Sequence, residues 1–258
     1  MGEPEIMTVS RSWEVHLLGG WEIFQDRRPV RVTYRQQRLI AVLALYGSQP
    51  RSFLAGMLWP NSSEKQATGS LRESIWLVSH QLPGLLVEGR DPLALDPNVV
   101  IDVHIVRRQA EALQTNHGPQ DELERVEMLE TLRNAELLSG WYEDWITAEQ
   151  ERWQQLRVKA LERLAAQFLV HGETGLAVEA AACAIGVDPL RESAERLLLE
   201  AYLSEGNIAQ ALRSYEAFRA RLRDEFGVEP SSRLAELMAP LQRPRNPAFR
   251  SAGHRNGP

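Results

Sequence analysis

Few residues in this sequence stand at spacings that would support covalent chemistry. Ser62-Ser63-Glu64-Lys65 sets a serine three residues ahead of a lysine, the arrangement in which a lysine activates a serine nucleophile. The two motifs that accompany it in such enzymes are missing, and serines ahead of a helix serve as caps. The histidines (His16, His80, His104, His117, His171, His254) are scattered, with no metal-ligand spacing. Cys183 is the only cysteine, so neither an intrachain disulfide nor a cysteine zinc site is available. It sits in a run of alanines and reads as a buried spacer on a small-residue helix face. There is no phosphate-binding loop, no Gly-x-Ser-x-Gly and no His-Glu-x-x-His. Trp141, Trp145 and Trp153 fall at helical spacing and read as packing, not as a ligand cage. These residues predict no enzyme and no cofactor.

A different chemistry gathers on one segment. Placed on a helix, residues 64–82 bring Leu71, Ile75, Val78 and Leu82 into a narrow arc, the expected core face. Gln66, Gly69, Glu73, Trp76, Leu77 and His80 point the other way, flanked by Lys65, Ser70, Arg72 and Ser79. Cations, amides, hydroxyls and aromatic rings on one helix face suit the edges and phosphates of a nucleic acid. Arg35, Arg38, Arg51, Ser52 and Arg90 are further candidates for backbone contacts. The face is not strongly basic, however. Glu73 would oppose a phosphate, and Trp76 and Leu77 suit either thymine methyls or a protein surface.

The surrounding elements give that helix a setting. Residues 13–17, 21–24 and 30–32 read as strands, broken by Gly19-Gly20 and by a turn at Asp26 to Arg28. From Arg35 the period turns helical through Leu39, Val42, Leu43 and Tyr46, with a stop at Gly47. A short helix from Ser52 to Leu58 ends at Trp59-Pro60, because proline disfavours helix at the residue before it. Asn61 with Glu64, or Ser63 with Gln66, would box the start of the third helix, and Pro83-Gly84 ends it. Two apolar runs around Gly89-Arg90-Asp91-Pro92 then read as a hairpin. Strands, three helices and a hairpin make a winged helix over residues 13–101.

Beyond Asp102 the pattern is helical, and a repeat appears. A shift of 34 positions pairs Leu164 with Leu198, Phe168 with Tyr202, Leu169 with Leu203, Gly172 with Gly206 and Ala177 with Ala211. That period is the tetratricopeptide signature, with Pro189 and Pro230 each closing a repeat. The fold class is therefore mostly α: an N-terminal winged helix-turn-helix (α/β), then an all-α tetratricopeptide-like domain over residues 102–242. Residues 243–258, rich in Pro, Arg, Asn and Gly, read as a disordered basic tail.

Net charge is −6 and uneven. Residues 1–101 balance ten cations against ten anions, residues 102–242 carry −10, and the last 16 carry +4. An anionic partner is thus expected at the N-terminal part or the tail. No apolar run approaches the roughly 18 residues of a membrane helix, and the first 30 residues lack a signal-peptide pattern. A cytoplasmic protein with no membrane partner is expected.

Several stretches resemble one family. Leu58-Trp59-Pro60 follows the second helix, Leu71-Arg72 lies inside the third, and Asp102-Val103 marks a junction. Leu137-Leu138-Ser139-Gly140-Trp141-Tyr142-Glu143-Asp144-Trp145, Ala160-Leu161-Glu162-Arg163-Leu164-Ala165 and Glu225-Phe226-Gly227-Val228-Glu229-Pro230 follow. Over residues 13–242 the chain is similar to the antibiotic regulatory proteins of actinobacteria, which join an OmpR-type winged helix to a bacterial transcriptional activation domain. The resemblance implies a transcription activator that binds direct repeats in double-stranded promoter DNA, as a homodimer on DNA, and contacts RNA polymerase including its sigma subunit. It also implies arginines at the positions of Leu77, Ser79 and His80, and this chain departs from that. The departure leaves a second reading open: a protein-interaction regulator with a degenerate winged helix, modulating another transcription factor or polymerase.

Overall fold

The computed structural model describes residues 12–87, 89, 91–115 and 121–242. Arg90 and the tail 243–258 lie outside the described residues. The chain divides into two compact units, one running to Ala160 and the other starting at Leu161.

The first unit opens with a four-stranded sheet in the order β3-β2-β1-β4. Strand β1 (Trp13–His16) pairs antiparallel with β2 (Glu22–Gln25), Val15 opposite Ile23. Asp26 and Arg27 form the following turn in the left-handed region, which matches the twist of a tight hairpin. Strand β3 is Arg28–Pro29, earlier than the expected 30–32, although Val30 still donates to the Ile23 carbonyl at 2.8 Å. Proline has no amide hydrogen and suits such an edge. Strand β4 (Val100–Ile101) runs parallel to β1 on the other side. Trp13, Val15 and Ile23 are buried on one face, and the Trp13 indole donates to the Pro83 carbonyl at 3.2 Å.

Three helices follow: α1 (Tyr34–Tyr46), α2 (Arg51–Leu58) and α3 (Glu64–Gln81). The Thr33 and Gln36 capping box starts α1, and the Gln36 amide reaches Gln81 at the end of α3 at 2.8 Å. Leu39, Ile40, Val42 and Leu43 are buried, which makes α1 the centre of this core. Beyond α3, Val87 donates to Ala94, and Leu93 exchanges bonds with Gln49, so the expected hairpin exists with a short third partner.

Helices α4 (Asp102–Gln114), α5 (Glu122–Arg133) and the first part of α6 (Asp144–Val170) belong to the same unit. The Asp102 carboxylate accepts from the amides of Leu17 and Leu18 at 2.9 and 3.0 Å, which explains an aspartate at this junction. Residues 136–138 run beside 17–19, with Leu138 donating to Leu17 and Gly19 to Glu136, both at 2.7 Å. Gln150 holds the carbonyls of Leu137, Leu138 and Trp141 from α6. Trp153 is buried as expected, whereas Trp141 precedes α6 and packs with Trp21, Tyr34 and Trp145.

Glu143 is the polar centre of this unit. Its carboxylate accepts from the Tyr34 hydroxyl at 2.7 Å, from Arg38 at 2.6 and 2.8 Å, and from the Trp145 indole at 2.7 Å. Burial pushes the Glu143 carboxyl up, but the hydrogen bonds from Tyr34, Arg38 and Trp145 outweigh it and hold it below the usual range. Arg38 also donates to the Leu58 carbonyl at 2.5 Å and lies 5.9 Å from the Trp59 ring centre. Arg38, a candidate backbone contact in the sequence, is thus a structural cation.

The second unit holds the rest of α6, then α7 (Thr174–Val187), α8 (Glu192–Ser204), α9 (Ile208–Phe226) and α10 (Ser232–Gln242). The 34-residue period is visible bond by bond. Gly172 and Gly206 have φ of 76° and 74°. Glu173 donates to Phe168 at 2.9 Å, and Asn207 donates to Tyr202 at 2.8 Å. These are the same left-handed helix ending, one period apart, and a side chain there is strained. Ala177 and Ala211 are both fully buried where the paired helices cross. Arg191 donates two bonds to Glu162, at 2.8 and 2.9 Å, tying α6 to the start of α8. Cys183 is half-exposed, not the buried spacer expected, because Ala180, Ala181 and Ala184 take the inner face.

Two stability outcomes follow. Gly172→Ala and Gly206→Ala should each cost about 1–2 kcal/mol in denaturant unfolding, from the left-handed backbone alone. Glu143 has a lowered folded pKa, so its stabilisation is present above the ordinary carboxylate range and is lost as pH falls through the folded value. Glu143→Gln should therefore lower stability by about 1–3 kcal/mol at neutral pH. It should also flatten the loss on acidification, and an unchanged acid limb in pH-dependent unfolding would contradict this role.

Candidate nucleic-acid interface

The site is built on α3. Ser63 caps it, the Gln66 amide accepts from the Ser63 amide at 3.2 Å, and the Gln66 backbone donates to the Ser63 hydroxyl at 3.4 Å. Of the two caps the sequence offered, Ser63 with Gln66 is the one that forms. Serine beats Asn61 here because its hydroxyl lies one position ahead of the first helical turn. Gln66 is exposed but its side chain is engaged in that cap.

The buried side of α3 is Ala67, Leu71, Ser74 and Val78, with Leu82 beyond its end. The predicted arc is rotated slightly: Ser74 is buried and bonded to the Ser70 carbonyl at 2.8 Å, while Ile75 is half-exposed. Leu77 is half-buried, so it is not the fully outward residue the wheel suggested. Lys65, Gly69, Arg72, Glu73, Trp76 and His80 are exposed, with Ser70 and Ser79 at the margin.

Charge on this face is decided by partners. Glu73 is ion-paired with Arg35 from α1, so the acid that would oppose a phosphate is neutralised and Arg35 is engaged with it. Among the described residues Lys65 and Arg72 form no ion pair, and they are the cations that α3 presents. Arg51 and Ser52 are exposed at the start of α2, where the Arg51 amide approaches the Asp91 carboxylate at 3.4 Å. Sequence reading placed Trp76 and His80 on the face but missed that they are coupled. Their ring centres are 4.2 Å apart, and His80 Nδ1 lies 2.9 Å from the Trp76 carbonyl oxygen. The four-residue spacing was the available signal.

The described residues thus combine a small N-terminal sheet, three helices of which the last is exposed and polar outside, and a helical repeat-like domain. The profile of the bacterial transcriptional activator domain matches residues 101–242, more than half of the chain. The chain belongs to that family and is a transcriptional regulator of the type to which the antibiotic regulatory proteins belong. No curated protein matches it by sequence. Among solved structures, it is similar to Mycobacterium tuberculosis EmbR in complex with a low affinity phosphopeptide. The identity is 18% and the TM-score 0.63, over 92% of this chain and 67% of that one. At that identity the likeness concerns the fold. Among the described residues no helix is long and apolar enough to cross a membrane.

The Arg35–Glu73 pair yields a prediction. Glu73→Gln removes a negative charge from the outer face and releases Arg35 from its pair. Duplex DNA affinity at low salt should rise several-fold, with a steeper salt dependence. Titrations at two salt concentrations check this, and weaker binding by the variant would show that Glu73 reads a base.

Proposed function

We propose that the chain is a transcription activator whose residues 13–101 bind double-stranded promoter DNA through α3. Residues 102–242 would serve the contact with RNA polymerase, including its sigma subunit. The observation that carries this reading is α3 itself: capped, packed on α1 through one side, and presenting Arg72, Lys65, Trp76 and His80 on the other. In a winged helix that exposed side faces the major groove. Lys65, Arg72, Ser70, Ser79 and His80 then reach bases or phosphates, and Arg51, Ser52 and Arg90 reach the flanking backbone. Arg35 takes part by holding Glu73. The family is one of transcriptional regulators. Cytoplasmic action, with two copies on direct repeats, accords with that role.

A second reading has one observation in its favour. The outer face carries few cations, and Trp76 is 57% exposed, which also suits a protein partner.

The deciding experiment is retention of fragmented genomic DNA by the full chain at low and moderate salt, followed by sequencing. Enrichment of a small set of fragments at moderate salt is expected. Arg72→Ala should weaken the enriched site by about 1–3 kcal/mol and relax preference at one position. Arg90→Ala should weaken all sequences equally and lower the salt slope by about one. Retention that vanishes with salt and ignores sequence would instead favour the protein-interaction reading.

A further inference from the structure

Arg72, Trp76 and His80 are four residues apart on α3 and form one row along its outer side, spaced by about 6 Å. Within the row, Trp76 and His80 act as one object. Their ring centres are 4.2 Å apart with planes tilted by 33°. His80 Nδ1 lies 2.9 Å from the carbonyl oxygen of Trp76. A carbonyl oxygen only accepts, so the proton of this bond sits on Nδ1. In the neutral ring Nε2 is therefore an acceptor with no hydrogen, and it is the nitrogen left for a partner. The stack and the backbone bond together hold the imidazole in place. The outer end of the row thus offers an apolar indole, 57% exposed, beside an acceptor.

We infer that Trp76 and His80 together read one A·T base pair; this rests on the proposal that α3 enters the major groove. The adenine edge there presents the N6 amine, a donor, and its thymine partner presents a C5 methyl. A G·C pair presents a donor on cytosine but no methyl group. A·T is the pair that offers a hydrogen to Nε2 and an apolar group to the indole at once. Arginine, which the family resemblance implies at the position of His80, would donate where this ring accepts. The substitution therefore changes which base is chosen as well as how much charge is present.

The test uses the full chain. A duplex is selected from a random pool at low salt, and each of its A·T pairs is then altered one atom group at a time. Uracil for thymine removes only the methyl, and purine for adenine removes only the amine. At one pair, each change should weaken binding of the parent by about three- to tenfold. Trp76→Ala should become indifferent to uracil while remaining sensitive to purine, and His80→Ala should show the reverse. Trp76→Phe, which keeps a ring against His80, should retain part of the uracil effect. Both residues are exposed, and circular dichroism confirms that the variants fold. If the parent selects a duplex but no A·T pair responds to both analogues, the inference fails and the DNA-binding proposal stands. It fails likewise if both alanine variants keep both sensitivities. If no duplex is selected, both fall.

Discussion

The carboxylate of Glu143 takes hydrogen bonds from Tyr34 and Arg38 on α1 and from the Trp145 indole beside it. Those partners lie 109, 105 and 2 residues away along the chain. Burying a carboxylate is costly unless its lone pairs are met, and here four bonds meet them. The arrangement gathers α1, the Leu58 carbonyl through Arg38, and the start of α6 around one charge. Helix α1 in turn supports α3, through Gln36 to Gln81 and Arg35 to Glu73. The aromatic rings of Trp21, Tyr34, Trp141 and Trp145 pack around the same place. They account for the tryptophans of the Leu-Leu-Ser-Gly-Trp-Tyr-Glu-Asp-Trp stretch.

Arginines on α1 look equivalent in the sequence, yet they have different employments. Arg38 is a structural cation, with its charge met by Glu143 and its hydrogen bond by Leu58. Arg35 sits at the surface but is matched by Glu73. Surface pairs contribute little to stability, so the weight of Arg35–Glu73 lies in the potential of the outer face. With that pair internal, α3 presents a face of modest positive charge and distinct shape. In the proposed DNA-binding role, a face of that kind would rely more on base contacts and less on phosphate attraction than a strongly basic helix would.

The second unit is governed by local geometry. Its repeated helix ending needs a residue that adopts positive φ without strain, and glycine stands at both positions, 34 residues apart. The alanines that follow let the helices approach closely, since a larger side chain would push the pair apart. Pro189 and Pro230 fall between helices, where a missing amide hydrogen costs nothing. Pro240, by contrast, lies inside α10, which the sequence reading did not separate out.

Much of the architecture was legible in the chain because its signals are local. Caps, helix stops, the hairpin turn and the 34-residue period act across a few residues, or across two copies of one motif, and side-chain type is enough to read them. The Ser63–Gln66 box, the Gly47 stop and the Gly172–Gly206 pair are of this kind. The site was legible only as a set of side chains on one face. Its finer content depends on residues distant in sequence: Glu73 finds Arg35, Arg38 finds Glu143, and Ser74 takes an inner position that the wheel gave to Ile75. A charge does not encode its partner, and a helix rotates by a fraction of a turn to suit the surface it packs on. Residue order thus determined which groups α3 owns, and packing against α1 decided which of them remain to meet a partner.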